Sequence, residues 1–145
     1  MKPVKLLDAA TDPDAAAQEY DALFLGVGKP EVFLYGSYHL AGFLNERPLA
    51  ALREHLAQLG LERDPARGET EDHIACVAEV MRWLIAGDDA AVCNLEQQRR
   101  FFRAQIQPWA EQLAAAVEAQ PRARLYRELA ALTLAFLQVE TQGFD

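Results

Sequence analysis

Glu69-Thr70-Glu71-Asp72-His73 is the densest group of reactive side chains in the chain. Three carboxylates and an imidazole within five residues have three possible uses: they could move protons, hold a metal ion, or recognise a cationic partner. They follow a polar loop, residues 61–68, which contains Asp64-Pro65. They precede the longest apolar-periodic segment, with Ile74, Val77, Met81, Leu84 and Ile85 at inward positions. The spacing predicts a helix from Glu69 to about Ala86, with all five residues at its start. Acids suit that place, because free N–H groups and the helix dipole favour negative charge. A cation is disfavoured there, so His73 is expected to face the acids or a partner. One reading is an acidic, hydrogen-bonding rim for a basic peptide. The other is local helix capping and a loop tether.

The rival chemistries find less support. A di-iron bundle needs two Glu-x-x-His motifs and two further inward carboxylates. His39, His55 and His73 are the only histidines, and none has a glutamate three residues before it. Glu69 and His73, with Asp72 and Glu79 near in sequence, still leave a metal-binding bundle as an alternative. Ser37 is the only serine, and it lies outside any G-x-S-x-G context. Gly26-Val27-Gly28-Lys29 is too short for a phosphate-binding loop. Cys76 and Cys93 lack C-x-x-C or zinc spacing and read as reduced core thiols.

The elements that must position these residues read as helices. Thr11-Asp12-Pro13 starts the first, with Tyr20, Leu23 and Phe24 on one face. Gly26, Gly28 and Pro30 end it. Val32 to Leu44 is ambiguous. Its Val-Phe-Leu-Tyr run has strand propensity but no second strand to pair with, so extended chain or a short helix near Tyr38–Leu44 is expected. Tyr35, Tyr38 and Phe43 form an aromatic group there, either a wall for an apolar peptide or packing of an irregular segment. Pro48 opens the next helix, whose face is Leu49, Leu52, Leu56 and Leu59, and Gly60 stops it. After Gly87 and Asp88, a helix from about Ala90 to Ile106 is expected, and Pro108 starts another. Beyond Pro121 a last helix runs from about Arg122 to Glu140, with Leu125, Leu129, Leu132 and Phe136 as its core stripe. Trp83 and Trp109 fall in helical apolar patterns and read as core or groove-edge packing. Arg99, Arg100 and Arg103 read as a solvated face able to pair with Glu96. The expected fold is all-α: one domain, a single bundle of five or six helices.

Composition limits the partners. The chain has 145 residues, of which 51% are hydrophobic, enough for a real core. A net charge of -8 disfavours nonspecific nucleic-acid binding and suits a basic ligand. No secretory signal opens the sequence and no apolar run is long enough to span a membrane, so a cytoplasmic protein is expected.

Four segments, in order, resemble the TorD/DmsD/NarJ family of cytoplasmic chaperones. Glu69-Thr70-Glu71-Asp72-His73-Ile74 is similar to its E-x-x-D-H-I. Glu19-Tyr20-Asp21-Ala22-Leu23-Phe24-Leu25-Gly26 is similar to its E-Y-x-x-L-F-x-G. Leu34-Tyr35-Gly36-Ser37-Tyr38 is similar to its aromatic and serine segment, and Phe101 to Trp109 to its F-F-x-x-H-L-x-P-W. Gln105 departs from the usual histidine. The resemblance implies a helical chaperone that is not an enzyme and needs no cofactor. Its partner would be the twin-arginine signal peptide, or the apo form, of a molybdenum-containing oxidoreductase. The look of Leu34–Phe43 suggests a formate dehydrogenase. Glu69, Asp72 and His73 match the positions implicated in peptide binding, and Tyr35 and Tyr38 are expected beside them. Nothing in the residues supports the nucleotide binding reported for some relatives. Much of the N-terminal helical region of the relatives is also missing. Residues 1–10, with Val4, Leu6 and Leu7, are too few to replace a helix layer, since a helix rises only ~1.5 Å per residue. A homodimer that covers the exposed surface is therefore expected.

Overall fold

The computed structural model describes residues 12–145. Among these the fold is all-α, with no strand. Helix α1 (Pro13–Tyr20) runs into a π turn, Asp21–Leu25. Helices α2 (Gly36–Ala41), α3 (Arg47–Gln58) and α4 (Ile74–Ala86) follow. Helix α5 (Leu95–Phe101), a second π turn (Phe102–Ile106) and α6 (Gln107–Glu118) form one continuous run. Helix α7 (Leu125–Gly143) ends the fold. Counted as continuous runs, the described residues hold six helices, as the periodicity predicts.

Local chemistry accounts for most boundaries. The Asp12 carboxylate accepts from Asp14 N (3.0 Å) and Ala15 N (3.2 Å), and Pro13 occupies the first turn where no N–H is needed. Gly60 takes the left-handed conformation at φ +77°. Its N–H bonds Ala57 O at 3.0 Å and the Leu61 N–H bonds Leu56 O at 2.8 Å, the paired bonds of a Schellman stop. Pro108 does not begin a separate helix. It lies inside the α5–α6 run, just after the π turn, where the Gln107 N–H reaches back to Phe102 O. The wider turn precedes the residue that cannot donate, which keeps the rod continuous.

The chain divides into two compact units: residues up to Phe33 together with Ala110–Asp145, and Leu34–Trp109. In the first, Leu23, Phe24, Val32, Leu113, Val117, Ala130 and Leu137 are buried. Tyr20, Phe24 and Tyr126 form a cluster of tilted and edge-on rings at centroid distances of 5.0–5.8 Å. Glu19 reaches the start of α7, where its carboxylate accepts from Arg124 N (2.7 Å), Leu125 N (3.1 Å) and Tyr126 N (2.9 Å). That side chain supplies the cap that no local residue provides.

The expected stripe of α7 is corrected. Leu129 and Phe136 are exposed, at 41% and 58%, as is Val139 at 65%. Ala130 and Leu137 face inward instead. At 100° per residue these two sets lie on different faces, so α7 carries a buried and an uncovered apolar stripe.

In the second unit, Leu49, Leu52, Leu56 and Leu59 are all buried, as their spacing predicts, together with Val77, Met81, Leu84, Phe101, Phe102, Ile106 and Trp109. Ile85, expected inward, is 62% exposed in the last turn of α4. Gly36 packs under Trp109: a Cβ built there would stand 2.8 Å from the indole ring. This contact explains why a glycine opens α2, where other residues have better helix propensity.

Candidate functional site

The 34–109 unit contains all five residues expected to bind a partner. Its organising feature is a single antiparallel bridge between Tyr35 and His73. Gly36 N bonds Asp72 O at 2.9 Å, and Ile74 N bonds Leu34 O at 2.9 Å. The strand-like Val-Phe-Leu-Tyr run thus finds its partner in the residues before α4, although no sheet develops. This pairing has a consequence for the acidic segment. Glu69 to Asp72 lie ahead of α4 rather than in its first turn, and the helix starts at Ile74. His73 is held extended at φ -60°, ψ 139° and becomes the N-cap.

Asp72 is 3% exposed. One carboxylate oxygen accepts from Ser37 N at 2.9 Å and from the Ser37 hydroxyl. The other accepts from Thr70 Oγ1 at 2.6 Å. Ser37 Oγ in turn accepts from Asn45 N at 3.2 Å, which fixes the turn after α2. Asp72 therefore ties the loop before α4 to α2, and its carboxylate is occupied by the protein itself. Ser37 is 1% exposed, so the only serine is a structural link, inaccessible to a substrate.

His73 Nδ1 accepts from Ala75 N at 3.0 Å. Its ring stands edge-on to Tyr35 at a centroid distance of 5.1 Å. Burial holds its pKa below the usual histidine range, against the opposing pull of Glu69 and Asp72. The cap requires the same neutral state, because a protonated Nδ1 cannot accept. His55 is also shifted down, first by burial and then by Arg100. Gln105, which replaces the histidine of the motif, lies 3.2 Å from His55 Nδ1. Both histidines bind protons more tightly when unfolded, near 6.5, than when folded. Their stabilising effect is complete above 6.5 and declines as pH falls through the folded values. Thermal melts from pH 8 to pH 5.5 should show a falling Tm, and a His55→Gln, His73→Asn double variant should flatten that fall. An equally steep fall in the variant would assign it to other groups.

Tyr35 and Tyr38 are half-buried. Tyr38 lies beside His39, whose ring stacks on Trp109 at 5.8 Å and 14°. The Trp109 indole donates to Gln105 O at 2.6 Å. The aromatic segment and the Phe101–Trp109 segment thus converge around Gly36. Phe43 is apart from them at 69% exposure on the turn after α2.

Of the five, Glu69 lines a groove in this unit that the other four do not line. A cavity of about 320 Å³ lies between the end of α3, the 61–73 loop and α4. Leu56, Leu61, Cys76, Val80 and Trp83 line it with apolar surface. Glu62, Asp64, Glu69, Glu71 and Glu79 contribute carboxylates, and Arg63, Arg67 and Arg82 guanidinium groups. Tyr35, Tyr38 and His73 do not line it. Two of the acids are already paired: Glu71 with Arg53 at 3.1 Å, and Glu79 with Arg82 at 2.6 Å. Glu62 and Glu69 have no such partner among the described residues. Burial pushes the Cys76 thiol up, so it stays protonated and unreactive near neutral pH. Among the described residues no group of three or more His, Cys, Asp or Glu side chains is placed to hold a metal ion.

Of the two places the sequence allows Trp83, core or groove edge, the structure gives it the groove edge, where it is the aromatic wall. Cys76, Val80 and Trp83 recur at i, i+4 and i+7, beside the core set Val77, Met81 and Leu84 at the next positions along. A helix with two adjacent apolar sets has one more face than its core requires.

A family model described as nitrate reductase delta subunit matches residues 4–115. The chain belongs to this family. It is the family of NarJ/TorD-like chaperones, which act in the maturation of molybdenum-containing oxidoreductases. The match takes in the four motif segments and the groove, and ends before α7. No curated protein and no solved structure matches the chain. No helix among the described residues is long and apolar enough to cross a membrane.

Proposed function

We propose that this family member is a cytoplasmic, non-enzymatic chaperone that holds a basic segment of an apo-molybdoenzyme before cofactor insertion. The segment fitting best is a twin-arginine signal peptide, in which arginines precede an apolar stretch. The observation that carries the reading is an apolar groove edged by carboxylates, with Glu69 of the matched motif on its rim. The groove receives apolar side chains, and unpaired carboxylates orient the arginines. Tyr35 and His73, in edge-on contact, and Tyr38 are further residues we assign to client contact, and Asp72 positions this segment through Ser37. At about 320 Å³ the cavity is at the small end of ligand sites, so it suits side chains of a segment rather than a whole cofactor. A formate dehydrogenase is the client we favour.

Calorimetric titration with the signal peptide of the client tests this. Binding should weaken with added salt, because exposed charge attraction is screened. Glu69→Gln combined with His73→Asn should weaken binding about fivefold, the effect of roughly 1 kcal/mol of rim charge. A client enzyme that matures fully in cells lacking the chaperone, with no measurable peptide binding, would sink the reading.

We further infer a homodimer. The uncovered stripe Leu129, Phe136 and Val139 supports it, since contiguous apolar patches mark contact surfaces. Light scattering should give a dimer mass that Phe136→Glu converts to monomer. A monomeric wild type excludes it.

A further inference from the structure

The groove has two kinds of wall, and they differ in what they can contribute. Its floor is Leu56, Leu61, Cys76, Val80 and Trp83. Its rim carries Glu62, Asp64 and Glu69, all exposed and outside the ion pairs among the described residues, with the exposed guanidinium groups of Arg63 and Arg67 beside them. Exposed charge pairs contribute little, because water competes and salt screens them. A tryptophan that closes over an apolar side chain in a desolvated pocket contributes far more, and such residues dominate alanine scans of interfaces. Trp83 is half-buried in the free protein and lines the cavity. It is therefore held by packing before any partner arrives, so little ordering is needed on binding.

Resting on the chaperone reading above, we propose that Trp83 is the specificity-determining wall of the client site, and that the groove selects apolar anchors first and arginine second. The occupant is a client segment with apolar side chains seated between Trp83, Val80 and Leu56, and a flanking arginine directed to Glu62 and Glu69. The charges choose orientation: a segment entered backwards would leave its arginine away from Glu62 and Glu69. The paired acids take no part, because Arg53 and Arg82 already hold Glu71 and Glu79. The aromatic pair Tyr35 and Tyr38 lies outside the cavity and is not the anchor wall.

Three synthetic peptides test this on the full chain. The first places two arginines ahead of a run of leucines. The second keeps the arginines and replaces the leucines by serine and asparagine. The third keeps the leucines and replaces the arginines by glutamine. The protein carries Trp109→Phe, which leaves Trp83 as the only tryptophan and its emission as the readout. The first peptide should shift Trp83 emission to the blue on binding. Losing the leucines should weaken binding at least thirtyfold, and losing the arginines about fivefold. Trp83→Ala should weaken binding at least thirtyfold by calorimetry, with Trp83→Phe restoring most of it. Val80→Asp, which leaves the indole in place, should act like Trp83→Ala. If the first peptide binds without moving Trp83 emission, and Val80→Asp binds it normally, the groove assignment falls while the chaperone reading stands. If arginine loss costs more than leucine loss, the order of selection is reversed and the proposal fails. If neither the peptides nor the client bind the wild type, both readings fall together.

Discussion

Asp72→Ala should lower the stability of the chain by about 3–5 kcal/mol, the range seen when a buried hydrogen-bonded carboxylate is removed from its partners. The carboxylate accepts from Ser37 N, the Ser37 hydroxyl and Thr70 Oγ1, at a position 3% exposed. Removal strands the Ser37 donors where water does not reach, because Ser37 is itself 1% exposed. Released from Asp72, Ser37 also holds Asn45 less firmly, so the turn carrying Phe43 should loosen. A chain of this size has roughly 7–15 kcal/mol in total, so the loss is a large fraction. At roughly 2–4 °C per kcal/mol, Tm should fall by about 10 °C. Ser37→Ala should cost less, about 1–2 kcal/mol, because it removes one donor and leaves the Ser37 N–H bonded. The two changes should be non-additive, since they share a bond. Thermal melts of the single and double variants decide this. Full additivity, or an Asp72→Ala protein as stable as wild type, would remove Asp72 from its structural role. The same experiment separates positioning from contact. If Asp72→Ala loses client binding in proportion to the fraction folded, the motif aspartate acts through the loop it holds.

Much of this arrangement is readable in the sequence, and the parts that are not have physical causes. The α3 face read correctly because Leu49, Leu52, Leu56 and Leu59 face one core and nothing else. The stops at Gly26, Gly60 and Gly87 read correctly because each depends on chemistry within a few residues. The start of α4 was misplaced by five residues because a distant segment decides it. Tyr35 pairs with His73, and Ser37 takes the carboxylate of Asp72, 35 residues further along the chain. No local propensity encodes that competition. The α7 stripe failed for a different reason. Leu129 and Phe136 have core periodicity, but that helix has two apolar faces, and periodicity cannot say which one the chain itself covers. Trp83 is the same ambiguity on α4, where the second apolar set lines a groove. Glu19 stood in a motif whose purpose was opaque, because its partners are 105 to 107 residues away.

That residue gives the second large effect. Glu19→Ala should destabilise the chain by about 2–3 kcal/mol, since one carboxylate satisfies three backbone donors at the start of α7. Arg124 has no capping side chain of its own at this helix start, so nothing local replaces the loss. A negative group there also favours the helix dipole, and that contribution disappears as well. The neighbouring rings should feel the change: Tyr126, at the capped turn, touches both Tyr20 and Phe24. Glu19→Gln should lose roughly half as much, because it keeps an acceptor but not the charge. Glu19→Asp should behave almost like alanine, being one methylene too short to reach α7. The damage should be uneven along the chain. Hydrogen exchange should speed at the Arg124, Leu125 and Tyr126 amides and through the first turns of α7, under conditions where α3 and α4 keep their protection. The two compact units make this separation measurable, because Glu19 and α7 belong to one and the 56–83 groove to the other. Client peptide binding by the folded variant should therefore be unchanged. An unchanged Tm would show that solvent caps α7 as well as Glu19 does. Loss of peptide affinity at full folding would show instead that α7 reports to the groove.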